Sequence, residues 1–282
     1  MSFRHRMLAP LLIVFGAAVG FPLAYSVYLS FTDYQLTSRD APGFVGFDTF
    51  SSAVEDPSFW SALTTTLAFA AMAVCAELII GMAIALALRR QRFVRNFTRA
   101  VLLSPMFVTP IAVGLMFRFV LNDQLGAIPR LLDKVGISID FFGPGNALLS
   151  IALIDVWQWT PFMVLLLLAG LESLPQSPFE AAKIDGASAW YTFRRVTLPI
   201  LSPVIAVAVV MRSLDAFKVF EYVFAITRGG PGTETETIQY YVYKVGISYS
   251  RVAQASAMSL ILLVLVLGFI IVCFRLFRRA RT

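Results

Sequence analysis

Long apolar stretches alternate with shorter polar ones along the chain. A hydrocarbon core of about 30 Å takes about 20 consecutive apolar residues to cross as a helix. Six stretches reach that length, and they predict spans at residues 8–31, 62–88, 100–121, 147–170, 200–222 and 256–275. The pattern therefore predicts an all-α membrane protein with six transmembrane helices. No repeat or linker is evident, so residues 1–282 are expected to form a single transmembrane domain.

Composition agrees with a membrane location. Hydrophobic residues make up 58% of the 282 residues, charged residues make up 14%, and the mean hydropathy is +0.77. Soluble domains carry about 25% charged residues. The two isolated cysteines, Cys75 and Cys273, and the one histidine, His5, have no metal-ligand spacing. They argue against an intramembrane enzyme and against a metal or cofactor site in this chain.

Basic residues predict the orientation of the spans, because cytoplasmic loops carry an excess of Lys and Arg. Both termini and the loops after the second and fourth spans are rich in them: Arg4, Arg6, Arg89, Arg90, Arg92, Arg95, Arg99, Lys183, Arg194, Arg195, Arg275, Arg278, Arg279 and Arg281. Both termini and the 171–199 loop are therefore expected in the cytoplasm. The first span is longer than a signal-peptide core and no A-x-A cleavage site follows it, so it is expected to remain as an anchor.

The 171–199 loop predicts a short helix, a sharp turn and a second short helix. Ser177 is expected to cap the first helix, with Pro178 at its first position and Glu180 three residues after the cap. Gly186 permits the turn, and Ser188 can cap the next helix. On spacing alone, an amphipathic linker with a good N-cap explains this segment equally well.

The same segment resembles the EAA loop of binding-protein-dependent ATP-binding cassette (ABC) importers. The residues that carry the resemblance are Glu180-Ala181-Ala182, then Gly186, then nine residues, then Val196-Thr197-Leu198-Pro199. The resemblance implies that the loop is a coupling helix docked on a cytoplasmic ATPase. The residues expected to act in coupling are Glu180, Ala181, Ala182, Asp185, Gly186, Leu198 and Pro199.

That family implies a type I importer permease fold in a bacterial inner membrane. It also implies three kinds of partner: a second homologous permease subunit, two copies of a cytoplasmic ATPase and an extracytoplasmic solute-binding protein. The chain contains no Gly-x-x-x-x-Gly-Lys-Ser/Thr segment, so ATP and magnesium are expected on the partner ATPase. No nucleic-acid partner is expected. A passive channel or a proton-coupled carrier would leave the EAA-like loop without an explanation.

The segment after the fifth span predicts the class of solute. Phe217–Glu221, Thr227–Pro231, Thr235, Thr237 and Tyr240–Tyr243 resemble the corresponding region of maltose- and trehalose-type permeases. The resemblance implies a sugar or a sugar-like solute such as a polyol. The alternative is a permease for a non-sugar solute such as glycerol phosphate, phosphate or a peptide.

Polar residues in the fourth and fifth spans are candidates for the solute pathway, because an intramembrane charge should face a cavity or a partner. Two sets of residues follow helical spacing: Asp155, Gln158, Trp159 and Phe162, and Arg212, Asp215, Ala216 and Val219. The corresponding positions line the sugar site of the maltose-type permease that these spans resemble. This sequence departs from that permease, because Asp155, Arg212 and Asp215 replace mostly neutral groups there. The departure leaves three alternatives: an anionic or different solute, a contact between the two permeases, or an ion pair of Arg212 with Asp155 or Asp215 that holds the spans together.

Other intramembrane residues suggest contacts and bends rather than solute binding. Glu77 and Arg118 are expected to contact other helices or subunits. Pro105 and Pro110 are expected to kink the third span, and Pro161 the fourth.

Overall fold

The computed structural model describes residues 3–39, 41–90 and 100–279. Helices dominate these residues because a helix satisfies its own backbone N–H and C=O groups, as the hydrocarbon core of a bilayer requires. In chain order the helices are α1 (Phe3–Phe15), α2 (Phe21–Ser30), α3 (Asp48–Val54), α4 (Pro57–Arg90), α5 (Ala100–Phe107), α6 (Pro110–Val120), α7 (Ala127–Asp133), α8 (Ala147–Glu172), α9 (Ser177–Ile184), α10 (Ala189–Thr192), α11 (Leu198–Ala216), α12 (Ile238–Tyr243) and α13 (Val252–Arg279). Short π-helical turns lie at Gly16–Gly20, Phe193–Thr197, Val223–Thr227 and Lys244–Ser248.

Among the described residues, five helices are long and apolar enough to cross a membrane, and the bent pair α5–α6 makes six if it counts as one span. The bounds of the five are Pro10–Ser30, Pro57–Arg89, Ala147–Glu172, Ala189–Ala216 and Val252–Cys273. The predicted all-α membrane class is therefore confirmed, and each of the six predicted spans corresponds to a helix or to the bent pair. Arg92, Arg95, Arg99 and Arg281, which contribute to the predicted orientation, lie outside the described residues.

The third span is broken where its prolines predict a kink. Its two halves, α5 and α6, meet at 98°. Val108 and Thr109 between them are extended, with ψ of 137° at both residues. The residue before a proline is disfavoured in the helical region, and Pro110 has no N–H to continue a helix across the junction. Pro161, in contrast, lies inside α8, which continues past it to Glu172.

The fifth span ends earlier than predicted. Helix α11 stops at Ala216, whereas the apolar pattern places the end of the span at residue 222. After Ala216 the chain turns, and the hydroxyl of Thr237 donates to the carbonyl of Val219 at 3.0 Å. The backbone of Val219 is thus satisfied by a residue 18 positions away, which local hydrophobicity cannot reveal.

The described residues form two compact units. One lies within Met1–Ser61 and Ile238–Phe269, and the other within Ala62–Thr237 and Ile270–Thr282. The expectation of a single domain over residues 1–282 stays a prediction.

Close helix packing in the second unit depends on small residues. A Cβ at Gly81 of α4 would lie 2.9 Å from Cγ of Met163, and a Cβ at Gly170 of α8 would lie 2.8 Å from both Leu201 and Val204. Small residues let helix backbones approach closely in a membrane, where packing rather than water exclusion drives association. These two glycines therefore set the spacing of α8 from α4 and from α11.

We expect Gly170→Val to destabilise the protein by about 1–3 kcal/mol, because the added side chain overpacks the contact with α11. Thermal unfolding of the purified protein in detergent measures the effect. Gly268→Val is the matched control, since a Cβ at Gly268 of α13 would meet no atom within 4 Å. Equal unfolding temperatures for the two variants would contradict the packing role of Gly170.

Candidate functional site

Three charged side chains from three spans meet in the core of the second unit. They are Glu77 of α4, Asp155 of α8 and Arg212 of α11, and each is at most 2% exposed. Nε of Arg212 lies 2.8 Å from Oε2 of Glu77, and Nη2 of Arg212 donates to Oδ2 of Asp155. We call these three residues the ionic cluster. It joins three membrane-spanning helices through one guanidinium group.

The chemistry of arginine explains why one residue can serve two carboxylates. The guanidinium is planar and presents donors in a fixed fork, so different edges can face different partners. A charge at the centre of a bilayer costs at least about 2.5–3.5 kcal/mol. A nearby opposite charge offsets this cost. The structure contains the ion pair that the sequence offers as one interpretation of Arg212, with Asp155 as its partner, and solute contact by Arg212 stays a prediction. Glu77 is the second partner of Arg212. The sequence predicts for Glu77 only a contact with another helix or subunit.

A second polar layer, formed by Tyr222, Gln158 and Val108, lies beside the ionic cluster. The Tyr222 hydroxyl donates to Oε1 of Gln158 at 2.5 Å, and Nε2 of Gln158 donates to the Val108 carbonyl at 2.6 Å. That carbonyl lies at the break of the third span, where Ala112 N–H donates to Thr109 instead. Gln158 thus satisfies a backbone acceptor that the break leaves outside the helical hydrogen-bond pattern.

The aromatic residues predicted to share a face with Asp155 also come together. The rings of Trp159 and Phe162 are edge to face with centroids 6.5 Å apart, and the Arg212 guanidinium lies 5.4 Å from the centre of the Trp159 ring. Both aromatic side chains are half-buried. They therefore keep surface that a ligand or another subunit can contact.

The remaining predicted pathway residues divide into buried and exposed ones. Ala216 and Val219 are buried, whereas Asp215 is exposed and takes no part in the ionic cluster. Lys218 and Glu221, which follow Asp215 at intervals of three residues, are also exposed. These three residues place charge on the surface of this chain where α11 ends.

Sequence patterns do not identify Tyr222 or Val108 as members of the site. Tyr222 lies in an aromatic stretch that is equally consistent with packing, and Val108 takes part through its backbone. The break predicted by Pro105 and Pro110 is the one available signal, because a broken span leaves a carbonyl that needs a donor. Arg118 makes its expected contact with another segment, donating from Nη1 to the Ala225 carbonyl at 3.1 Å.

The EAA-like segment forms the predicted pair of short helices. Helix α9 ends at Ile184, and Gly186 takes a left-handed conformation with φ of +69°. The hydroxyl of Ser188 accepts from Tyr191 N–H at 3.2 Å, which confirms Ser188 as the cap of α10. Ser177 is not the cap of α9, contrary to the prediction. The cap is Gln176, because its carbonyl already accepts from the N–H groups of Phe179 and Glu180.

The surface of this segment is largely open. Glu180, Ala181, Asp185 and Gly186 are exposed, and Ala182 is buried. Apolar side chains are exposed with them, Ile184 at 87% and Trp190 at 69%. At the start of α11, Leu198 is half-buried and Pro199 is exposed.

One contact ties the segment to the second span. The Arg89 guanidinium lies 5.2 Å from the centre of the Phe179 ring, in a cation–π arrangement. Arg89 is close to the end of α4, the helix that also carries Glu77. Helix α9 is therefore linked through α4 to the ionic cluster, in addition to its chain connection through α10 to α11.

Comparison with known proteins identifies the class of molecule to which this arrangement belongs. The probable ABC transporter permease protein y4oQ of Sinorhizobium fredii is 35% identical over 93% of this chain and 86% of its own length. The trehalose/maltose transport system permease protein MalF of Thermococcus litoralis is 35% identical over 83% of this chain and 80% of its own length. The fold matches a chain of a bacterial ABC transporter involved in the import of the acidic polysaccharide alginate, with a TM-score of 0.83, 24% identity and coverage of 98% of this chain and 94% of that one.

These likenesses place the molecule among the permeases of ABC importers, with the type I permease fold. The model of the family described as binding-protein-dependent transport system inner membrane component matches residues 77–281. The chain belongs to this family.

We expect Arg212→Met to destabilise the protein by about 3–5 kcal/mol, because it leaves two buried carboxylates without their cation. Combining it with Glu77→Gln and Asp155→Asn should recover most of the loss, since no unpaired charge then remains. Thermal unfolding in detergent measures both effects. The matched control is Asp215→Asn, which removes an exposed carboxylate outside the cluster. A triple variant as unstable as the single one would contradict the electrostatic origin of the effect.

Proposed function

We propose that this chain is one permease subunit of an ATP-driven importer that moves a sugar or sugar-like solute across the bacterial inner membrane by alternating access. The observation that carries the solute class is the 35% identity, over 83% of the chain, with a permease named for trehalose and maltose. The likeness of the Thr227–Pro231 region to carbohydrate permeases supports the same class. There the hydroxyls of Thr227 and Thr235 lie 2.7 Å apart, and Thr235 also donates to the Gly230 carbonyl.

The energy source in this proposal is a separate chain. Two copies of a cytoplasmic ATPase bind ATP and magnesium, and one of them receives α9 as a coupling helix. The exposed surface of α9 supports this role, since Ile184 presents an apolar side chain beside the small residue Ala181 and the left-handed Gly186. Small and apolar groups allow close docking in a groove.

The route by which motion passes from the ATPase to the spans follows from one contact and one chain connection. Movement of α9 is transmitted to α4 through Phe179 and Arg89, and to α11 through α10 and the π-helical turn Phe193–Thr197. Because the ionic cluster joins α4, α8 and α11, the three helices then move together. In the proposed cycle, closure of the ATPases rocks this group of helices from inward- to outward-facing.

Solute contact is assigned to the predicted pathway residues that keep exposed surface. These are Trp159, Phe162 and Asp215, with Lys218 and Glu221 beside them. The other five predicted pathway residues support that surface from the interior: Asp155, Gln158, Arg212, Ala216 and Val219. Aromatic faces next to hydrogen-bonding groups suit a sugar ring and its hydroxyls.

The proposed function implies further partners for this chain. A second, homologous permease subunit forms a heterodimer with this chain, and a solute-binding protein delivers solute to the outer face. Both termini and α9 lie on the cytoplasmic side. The most apolar window of the first span has no buried residue in this chain, which leaves its surface to lipid and to the second permease.

Gly186→Pro should abolish both uptake and the stimulation of ATP hydrolysis by the loaded binding protein. Proline requires a φ near −65°, whereas Gly186 has +69°, and it would remove the N–H that donates to the Lys183 carbonyl at 3.1 Å. Gly186→Asn is the matched control, because asparagine tolerates the left-handed region and a Cβ here meets no atom within 4 Å. The measurement uses the complete transporter in proteoliposomes.

Coupled transport that survives Gly186→Pro would show that this loop does not transmit the ATPase motion. Loss of activity in both variants would show that position 186 does not accept a side chain, and would contradict the explanation by backbone conformation alone. Insertion of each variant is checked by its yield in the assembled transporter.

Trp159→Ala should raise the half-saturating concentration for uptake of radiolabelled trehalose or maltose by about 3–10-fold, the range expected when one aromatic contact is lost. Trp159→Phe should have a smaller effect because it keeps an aromatic face. The control is Trp157→Ala, since Trp157 packs edge to face on Phe117 and, two residues from Trp159, lies on a different face of α8. An unchanged half-saturating concentration in Trp159→Ala would show that this residue does not contact the solute. Uptake of glycerol 3-phosphate, but of neither sugar, would overturn the proposed solute class.

A further inference from the structure

Four phenylalanine rings gather in the first unit, just after the first span. The ring of Phe31 lies 5.3 Å from those of Phe47 and Phe50 and 6.3 Å from that of Phe44, measured between centroids. We call these four residues the aromatic cluster. Phe44 and Phe47 are the outward members, 80% and 73% exposed. Within the described residues, these two phenylalanines therefore leave most of their surface uncovered.

Hydrogen bonds fix the aromatic cluster at the level where the first span ends. The Val45 N–H donates to the Phe31 carbonyl at 2.9 Å, and the Asp33 N–H donates to the Gly43 carbonyl at 3.1 Å. The Thr49 hydroxyl donates to the carbonyl of Ser30, the last residue of the span. The segment that carries Phe44, Phe47 and Phe50 is thus folded back onto the end of the span.

The length of the first span places that level at the edge of the hydrocarbon. Pro10–Ser30 contains 21 residues, which extend roughly 31 Å as a helix, about the thickness of the core. The last span begins at the same level, because Ala253 N–H donates to the Tyr34 carbonyl at 3.1 Å and Leu36 N–H to the Ser250 carbonyl at 2.9 Å. Two spans therefore mark one boundary.

The polar groups of the same segment lie around a cavity rather than among the rings. A cavity of about 430 Å³ is lined by Asp33, Asp48, Thr49, Ser52, Arg251 and neighbouring residues, and by none of the four phenylalanines. The segment is therefore two-sided, with an aromatic side and a polar side. Helix α3, which carries Phe50 and Ser52, contributes to both.

We propose that the aromatic cluster inserts into the lipid interface of the outer leaflet and holds the first outer loop against the membrane. Large exposed apolar groups mark an interaction site. At the end of a span these apolar rings are level with the boundary between headgroups and acyl chains, where Trp and Tyr are enriched in membrane proteins. Trp60 supports this location. It is 42% exposed, lies near the start of the second span, and donates from Nε1 to the Val54 carbonyl at the end of α3. The proposal rests on the proposed orientation of the chain and not on the identity of the solute.

Spin labels in the complete transporter test this location. On a background with Cys75→Ala and Cys273→Ala, a nitroxide is attached at Phe44→Cys or Phe47→Cys. The matched control is Ser52→Cys, an exposed position on α3 that lines the polar cavity. The transporter is reconstituted in vesicles of phosphatidylethanolamine and phosphatidylglycerol, and power saturation compares collisions with oxygen, which partitions into lipid, and with a water-soluble nickel chelate.

Labels at positions 44 and 47 should collide more with oxygen than with nickel, and the label at position 52 should show the reverse. Nickel-accessible labels at 44 and 47 would overturn the proposal by placing the rings in water. Labels screened from both reagents would overturn it by showing that another subunit covers the rings. A loss of accessibility to oxygen and nickel on addition of the solute-binding protein would overturn it too. Uptake measured on the same vesicles reports separately on the proposed transport function, so the two can fail independently.

Discussion

The guanidinium of Arg212, held between Glu77 and Asp155, is the interaction on which the second unit depends. The three residues of this ionic cluster come from α4, α8 and α11, and all three are buried where water cannot solvate them. Each member is costly alone, and each is tolerated because the other two are present. The close contacts at Gly81 and Gly170 bring the same three helices near enough for these side chains to meet. The ion pairs therefore need the close packing of these helices, and the packed helices need the ion pairs to offset the buried charges.

Around this fixed centre lie the irregular parts of the backbone. The third span breaks at Val108 and Thr109, and π-helical turns occupy Phe193–Thr197 and Val223–Thr227. The carbonyl freed by the break is satisfied by Gln158, one turn along α8 from Asp155. A transporter needs helices that move as a body and joints at which they can do so. In the proposed cycle the ionic cluster would hold α4, α8 and α11 together, and the break and the π-helical turns would be the joints.

Local chemistry explains which features were predictable from the sequence. The apolar runs are long enough to define the spans, and Pro105 and Pro110 indicate the break between α5 and α6 because proline acts on its own neighbours. The cap at Ser188 and the turn at Gly186 are local in the same way. The apolar pattern does not reveal that α11 ends at Ala216, nor that Thr237, a distant residue, satisfies the Val219 carbonyl. The N-cap of α9 was assigned one residue late because backbone geometry, not the hydroxyl of Ser177, decides where the first turn begins.

The choice of ionic partners shows the same limit within the candidate site. By charge, Asp155 and Asp215 are equally good partners for Arg212, and Asp215 also lies three residues from it on the same helix. Only the packing of α8 on α11 selects Asp155 and leaves Asp215 at the surface. Glu77 has no neighbour in sequence that marks it as a third member, since α4 is distant from α11 along the chain. Helical faces can be assigned from spacing, but the helix opposite each face cannot.

The order in which the chain is synthesised gives the ionic cluster a further consequence. Asp155 precedes Arg212 by 57 residues, and Glu77 comes earlier still. At ribosomal speeds the carboxylate-bearing spans wait on the order of seconds before their cation emerges. During that interval Glu77 and Asp155 have no arginine from the fifth span beside them, and burying such charges alone is costly. Completion of the fifth span therefore supplies the cation of the cluster, and a polypeptide truncated before Arg212 would contain both carboxylates without it.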